Sequence, residues 1–140
     1  MENYTVRDFM NDLPAKVHTN MSIVSALRIL LEKKQPAAAV VDEHNHLTGL
    51  LSEADCIKGT ISSGFYEQEG ALVGDKMSTE LQTIKSDSSL ISAIDIFSKY
   101  NRRVLPVIEG KKLVGMLTRE HILRALLKEV DHPTQHAHIA

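Results

Sequence analysis

An internal repeat limits the folds open to this chain more strongly than anything else in its sequence. Three segments of the first half return in the second half in the same order: residues 6–10 as 73–77, residues 22–27 as 89–94, and residues 47–52 as 113–118. Equivalent residues are 67 apart in the first two pairs and 66 apart in the third, so one residue is missing from the turn before the last segment. Self-similarity at a fixed spacing indicates that one structural unit occurs twice.

Each copy has the pattern of a short extended stretch, a helix, two strands and a closing helix. The extended stretches lie at Val17 and Ile84, and the paired strands are predicted at 37–41 and 47–51 and at 104–108 and 113–117. One such unit of about 55–60 residues buries too little surface to be stable alone. We therefore predict an α+β fold in which two pseudo-symmetric β-α-β-β-α repeats pack sheet to sheet.

The repeat also sets the predicted boundaries. The first repeat covers residues 1–61, a linker covers 62–72, the second repeat covers 73–130, and a flexible tail covers 131–140. Helical spacing places apolar residues on one face of the first helix of copy one and of the closing helix of copy two. These residues are Ile23, Ala26, Leu27, Leu30 and Leu31 in the former, and Leu123, Leu126, Leu127 and Val130 in the latter.

Composition excludes several classes of protein. The 16 Lys+Arg residues against 18 Asp+Glu give a net charge of -2, which lacks the basic excess of a general nucleic-acid binder. The single cysteine, Cys56, permits no intrachain disulfide and no zinc cluster, which is typical of a cytoplasmic protein. Apolar runs are too short to span a bilayer, so we expect no membrane partner. No nucleophile elbow or phosphate-binding glycine loop points to an enzyme, and we expect neither catalytic nor metal-ligating residues.

The repeated motifs resemble a tandem pair of CBS (cystathionine β-synthase) domains, also called a Bateman module. Each copy has an opening Val-x-Asp-x-Met or Val-Gly-Asp-x-Met, a Ser-x-x-Ser-Ala helix, and a closing Gly-hydrophobic-hydrophobic-Ser/Thr motif. The resemblance implies a stand-alone regulatory module that binds adenine nucleotides (AMP, ADP or ATP), or sometimes S-adenosylmethionine. It also implies a homodimer, and it does not imply catalysis or an obligatory cofactor.

The closing motif of copy one carries the first candidate site. Leu50 lies on the strand that Ser52 ends, and Asp55 follows one helical turn later, so Ser52 and Asp55 face the same pocket mouth. A carboxylate can accept hydrogen bonds from both hydroxyls of a ribose, and a helix N-terminus favours phosphate. The resemblance implies that this aspartate binds the ribose. The same Ser-x-x-Asp spacing also fits a capping box, which needs no ligand.

Copy two departs from this pattern because His121 stands where the aspartate is expected, three residues after Thr118. A neutral imidazole offers one donor and one acceptor and binds a diol less well than a carboxylate does. We therefore predict one good site per chain, around Asp55.

The resemblance places the adenine of the Asp55 site against the second copy. The residues concerned are Met77, Gln82 and the beginning of a strand at Arg102, Arg103 and Val104. Arg102 and Arg103 are the predicted phosphate ligands, since a guanidinium matches phosphate oxygens. The alternative is that the paired arginines are simply solvated.

Two functions stay open from the sequence. The first is an adenine-nucleotide sensor that acts on its own dimer or on a separate, unidentified effector protein. The second is a structural or adaptor module that dimerises and has a degenerate pocket, which the presence of His121 and Pro36 favours. An enzyme is the remote third reading.

Overall fold

The computed structural model describes residues 3–62 and 71–132, which form two three-stranded sheets flanked by helices. The first repeat contains β1 (Lys16–Val17), α1 (Ile23–Lys33), β2 (Ala37–Val41), β3 (Leu47–Ser52) and α2 (Glu53–Ser62). The second contains α3 (Val73–Lys76), β4 (Ile84–Lys85), α4 (Leu90–Tyr100), β5 (Val104–Glu109), β6 (Lys112–Thr118) and α5 (Arg119–Asp131). A 3-10 turn at Val6–Asp8 corresponds to α3. The predicted α+β fold with two β-α-β-β-α repeats is confirmed.

The two sheets have the same topology. The middle strand, β2 or β5, runs parallel to the short first strand of its sheet and antiparallel to the third strand. Both middle strands shift register at equivalent places, between Val40 and Val41 and between Val107 and Ile108. The irregularity therefore belongs to the repeated unit.

Equivalent helices begin and end with the same local chemistry. The Ser22 hydroxyl accepts a hydrogen bond from Ser25 N–H at the start of α1, and the Ser89 hydroxyl accepts one from Ile91 N–H at the start of α4. The two helices end at Lys34 and Asn101, which adopt left-handed φ angles of 53° and 51°. A left-handed residue ends a helix because it turns the chain away from the helical axis.

Strand β2 explains how the two sheets come together, because all five of its residues are buried. One face of β2, with Ala38 and Val40, packs against the helices of the first repeat. The other face packs against the second sheet in a shared cluster formed by Ala37, Ala39, Val41, Val104, Leu113 and Met116. A strand buried on both faces needs a continuous apolar run rather than an alternating one. The run Ala-Ala-Ala-Val-Val meets that requirement with small side chains.

The opening segment of each repeat packs into the core of the other repeat. Val6, fully buried, belongs to the core cluster of the second repeat, and its N–H donates to Ser88 O at 2.9 Å. Val73, also fully buried, belongs to the core cluster of the first repeat, and its N–H donates to Met21 O at 2.8 Å. The chain halves that repeat in sequence are therefore not the units that pack, since each core needs a segment from the other half.

Two glycines make this exchange possible. The exchanged segments lie beside the third strand of the other repeat, with Ser78 hydrogen-bonded to Leu50 and Asn11 to Met116. A Cβ at Gly49 would lie 3.1 Å from Ser78 O, and one at Gly115 would lie 2.9 Å from Asn11 O. The glycine of each closing motif therefore serves the close approach of protein backbone.

In two helices, apolar residues that the helical spacing placed on a buried face are exposed. Helix α1 buries Ile23, Ala26 and Leu30, whereas Leu31 is 70% exposed. Helix α5 buries Ile122 and Ala125, and the four apolar residues that share its predicted face all point outward: Leu123, Leu126, Leu127 and Val130. The sheet is covered by the smaller face of α5, so the larger apolar face is left without a partner in the described chain.

Most of the predicted linker and tail, at residues 63–70 and 133–140, lies outside the described residues. None of the helices within residues 3–62 and 71–132 has the length and apolar character that a bilayer-spanning segment requires.

Candidate functional site

Two cavities open in the cleft between the repeats, and they share two lining residues, Pro36 and Arg103. These two residues are equivalent in the repeat, so they lie where the pseudo-symmetry relates one cavity to the other. The larger cavity, of about 470 Å³, reaches Thr118 and His121, and the smaller one, of about 250 Å³, reaches Ser52.

At the smaller cavity, Ser52 and Asp55 form a reciprocal cap at the start of α2. The Asp55 carboxylate accepts from Ser52 N–H at 2.9 Å, and the Ser52 hydroxyl accepts from Asp55 N–H at 3.1 Å. Ser52 lines the cavity together with Glu53 and Ala54, whereas Asp55 lines neither cavity. The structure thus contains the capping box that the Ser-x-x-Asp spacing allows. It leaves the carboxylate with lone pairs for further donors.

At the larger cavity, His121 takes over the capping role of the aspartate. Its Nδ1 accepts from Thr118 N–H at 2.9 Å, and the Thr118 hydroxyl accepts from His121 N–H at 3.4 Å. A nitrogen that accepts a hydrogen bond carries no proton, so the neutral ring holds its proton on Nε2. Burial lowers the pKa of His121, with opposing contributions from Glu120, which raises it, and Arg124, which lowers it.

The two predicted phosphate ligands differ in their surroundings. Arg103 lines both cavities, and its guanidinium has no hydrogen bond or ion pair within the described residues. Arg102 instead donates from Nε to the Gln82 side-chain carbonyl at 3.1 Å. Arg119, at the start of α5, donates to the carbonyl oxygens of Arg102 and Asn101.

Of the remaining predicted residues, one lines a cavity and three do not. Val104 lines the smaller cavity, whereas Leu50, Met77 and Gln82 do not line either cavity. Met77 packs on the core of the first repeat beside Gly49, and Leu50 packs where the sheets meet. The structure therefore brings Ser52, Arg103, Val104, Thr118 and His121 to one cleft, and the ligand roles of all ten residues stay predictions.

Sequence reasoning missed several residues of the larger cavity. Its lining also includes Asn11, Lys33, Lys34, Gln35 and Arg119. The Gln35 amide accepts from Ala15 N–H at 2.8 Å and donates to Leu13 O at 3.4 Å. Only the exchange of opening segments brings Asn11 to this wall.

Other candidate groups lie apart from the cleft cavities. Cys56 is buried on α2, and its burial, with the nearby charges of Asp55 and Glu53, raises the pKa of the thiol to about 11. Among residues 3–62 and 71–132, no group of three or more histidine, cysteine or acidic side chains could hold a metal ion.

Comparison with known proteins identifies the architecture. A family model described as CBS domain matches residues 6–61 and 73–128. The chain belongs to the CBS domain family. A CBS domain pair of protein MJ0100, solved with 5′-methylthioadenosine and S-adenosyl-L-methionine, superposes with a TM-score of 0.78 at 27% identity, covering 90% of this chain and 98% of that one. CBSX2 solved with AMP gives a TM-score of 0.78 at 30% identity with the same coverage.

Curated relatives of this CBS pair are mostly longer proteins. CBSX2 of Arabidopsis thaliana, named as chloroplastic, is 28% identical over 89% of this chain, which spans 64% of that protein. L-aspartate semialdehyde sulfurtransferase of Methanocaldococcus jannaschii is 28% identical over 85% of the chain, which spans 22% of it. The A-adding tRNA nucleotidyltransferase of Aquifex aeolicus is matched over 15% of its length. The enzyme names thus belong to proteins that are mostly outside the matched region.

Proposed function

We propose that this CBS pair is a regulatory module that senses an adenine nucleotide in the cleft between its repeats. The observation that carries the proposal is the pair of cavities that meet at Arg103, each beginning at the N-terminus of a helix. A free guanidinium and two helix N-termini form an environment suited to phosphate. Two similar CBS pairs were solved with AMP and with adenosine-containing thioether and sulfonium ligands, which supports an adenosine compound as the ligand.

Ligand binding in such a cleft would act on the arrangement of the repeats. Both repeats contribute lining residues to each cavity, so a bound ligand stabilises one relative position of the two sheets. The output then passes to a second copy of the chain or to a separate effector protein. The cytoplasm stays the predicted location, based on the single cysteine.

An adaptor module is the second candidate, and the exposed apolar faces of α2 and α5 favour it. Ile57 and Ile61 on α2 and Leu123, Leu127 and Val130 on α5 are each more than half exposed. Apolar residues grouped on helices typically mark an interface. A homodimer through these helices is compatible with both candidates, so ligand binding, and not dimerisation, is the property that distinguishes them.

A thermal-shift screen separates the sensor from the adaptor. AMP, ADP, ATP and S-adenosylmethionine are added to the full chain. A ligand at 100 times its dissociation constant adds about 2.7 kcal/mol of stability. A rise in melting temperature with at least one of them is expected, and the absence of any rise at millimolar concentrations would favour the adaptor.

Substitution of Asp55 tests the role of the first site. Asp55→Asn keeps an oxygen that can cap α2 but removes the charge and one acceptor. Ligand affinity should fall about tenfold or more, as expected for loss of a charged hydrogen bond. The matched change His121→Asn should have a smaller effect, and equal losses would contradict the choice of Asp55.

A further inference from the structure

The two cavities differ in charge although equivalent positions build them. The smaller cavity has Glu53 at the start of α2, followed by Asp55. The larger cavity has Arg119 at the position equivalent to Glu53, and His121 at the position equivalent to Asp55. The start of α2 therefore carries two carboxylates, whereas at the start of α5 the charges of Arg119 and Glu120 balance each other.

The end of the first helix in each repeat increases this difference. Lys33 and Lys34, at the end of α1, line the larger cavity. Their equivalents at the end of α4 are Tyr100 and Asn101, which are uncharged and do not line the smaller cavity. The side chains of Lys33 and Lys34 make no hydrogen bond or ion pair within the described residues. They are available to a ligand, as is Arg103.

Within the described part of the chain, Glu120 is the one acidic residue that lines the larger cavity, and it is 3.3 Å from Arg124 on the next turn of α5. Against it stand Lys33, Lys34, Arg103 and Arg119, so the cavity keeps a positive balance. His121 adds a neutral ring whose remaining nitrogen donates rather than accepts. Such a lining favours groups that carry negative charge and accept hydrogen bonds, as phosphates do.

The larger cavity is correspondingly poor in groups that hold a nucleoside. It lacks the carboxylate that would accept from a sugar diol at position 121. On the wall next to it, the Gln35 amide already pairs with Ala15 N–H and Leu13 O. In the second repeat, Gln82 stands at the position equivalent to Ala15. Its main-chain N–H makes no hydrogen bond within residues 3–62 and 71–132.

The volume of the smaller cavity also bears on how a ligand can lie in the cleft. The smaller cavity, at about 250 Å³, is below the range of roughly 300–1,000 Å³ that holds a drug-sized ligand. The two cavities share Arg103 and Pro36 as lining residues, so they lie next to each other in the cleft.

We propose that a single nucleoside polyphosphate lies across both cavities, with its sugar at Ser52 and Asp55 and its phosphate chain extending past Arg103 toward Lys33 and Lys34. This inference rests on the proposed function and specifies the ligand class and its direction. Affinity rises with the number of phosphates, because each added phosphate reaches further into the cationic cavity. A ligand without phosphate, such as adenosine or S-adenosylmethionine, binds more weakly than ATP.

Titration calorimetry on the full chain tests this arrangement. Adenosine, AMP, ATP and inorganic tripolyphosphate are titrated in the absence of divalent cations. We expect one ATP per chain, ATP binding at least about tenfold tighter than AMP, and competition between tripolyphosphate and ATP. In the double variant Lys33→Gln, Lys34→Asn, ATP affinity should fall about three- to twentyfold, since each exposed charge contributes up to about fivefold. AMP affinity should fall by a clearly smaller factor.

The substitutions are chosen to preserve the backbone. Asparagine tolerates the left-handed φ of residue 34, so Lys34→Asn removes the charge without straining the end of α1. The exposed Lys58 on α2 lines neither cavity, and Lys58→Gln is the matched control, which should bind ATP with unchanged affinity.

The outcomes distinguish this inference from the proposed function. Equal affinities for AMP and ATP, two ATP molecules per chain, or equal losses of AMP and ATP affinity in the double variant would each overturn the inference alone. Failure of every adenosine compound to bind would overturn the proposed function, and this inference with it.

Discussion

At the scale of the residue, Asp55 and His121 show how one position can keep a structural role while its chemistry changes. Both side chains accept the N–H of the residue that precedes their helix, at 2.9 Å in each case. The carboxylate remains an acceptor over the physiological pH range, whereas the imidazole accepts only when it is neutral. The capping bond at the start of α5 is therefore sensitive to pH, and its counterpart at α2 is not.

The free energy of unfolding should fall as the pH drops below about 6.5, the usual histidine pKa. Burial lowers the pKa of folded His121, so the unfolded chain binds the proton first and gains stability relative to the folded chain. This contribution is fully present above the unfolded pKa and is lost as the pH falls toward the folded one. Urea unfolding measured from pH 8 to pH 5 reports the loss.

The matched variant for this effect is His121→Asn, which offers a capping oxygen that does not titrate. Its unfolding free energy should vary less over the same pH range, since the other histidines contribute equally to both proteins. Identical pH profiles for the two proteins would show that His121 does not contribute.

At the scale of the element, the exchanged opening segments depend on the glycines of β3 and β6. At Gly115, an added Cβ would lie 2.9 Å from Asn11 O, a backbone atom that cannot easily move. At Gly49 the nearest backbone atom, Ser78 O, is 3.1 Å away. At both glycines the closest atom of all is a flexible methionine sulfur at 2.6 Å, that of Met77 at Gly49 and that of Met10 at Gly115. The backbone contact is therefore the tighter one at Gly115.

Gly115→Ala should lower the unfolding free energy by about 1–3 kcal/mol, the usual range for overpacking, and Gly49→Ala should lower it by less. Chemical denaturation of both variants measures the difference. Gly110→Asn is a suitable control, because Gly110 has a φ of 63° that asparagine tolerates and no neighbour within 4 Å of an added Cβ. The reverse order of the two alanine variants would contradict this account.

At the scale of the whole molecule, the exchange joins the two repeats into one folding unit. Ala71 and Val73 are part of the first core, and Val6 is part of the second. The sheets also share the cluster between β2 and the second sheet. Neither half of the sequence contains all the residues that its own core needs.

A fragment of residues 1–62 should consequently fail to fold, although it holds one complete sequence repeat. A second fragment, residues 1–78, adds the segment that fills the first core, and it should show more helical signal by circular dichroism. The full chain should unfold in a single transition, and circular dichroism and hydrogen exchange should give the same midpoint. Two separate transitions would contradict the shared core.

The outward apolar faces also belong to this scale, since they matter only to contacts between molecules. Ile57→Lys and Leu127→Lys should shift the chain from dimer to monomer in sedimentation velocity while leaving the circular dichroism unchanged. Leu13→Lys, at a loop leucine that is 76% exposed, is the matched control and should leave the dimer intact. A chain that is monomeric before any substitution would overturn the proposed dimer.

Local chemistry allowed most of the elements to be predicted. The spacing of the repeat, the serines at the helix starts and the continuous apolar run of β2 depend on neighbours along the chain, so they are readable without coordinates. The outward turn of Leu123 and Leu127 was not readable, because periodicity defines a face and does not say which face meets the sheet.

The same distinction between local pattern and tertiary packing applies to the candidate site. The duplication, the capping box at Ser52 and the replacement of a carboxylate by His121 follow from the sequence alone, because each is a relation between residues a few positions apart or one repeat apart. The exchange of the opening segments, and the place of Arg103 between two cavities of unlike charge, became visible only in the folded molecule. Those facts depend on which buried surfaces fit together across the pseudo-symmetry, and packing between distant segments is not encoded in local pattern.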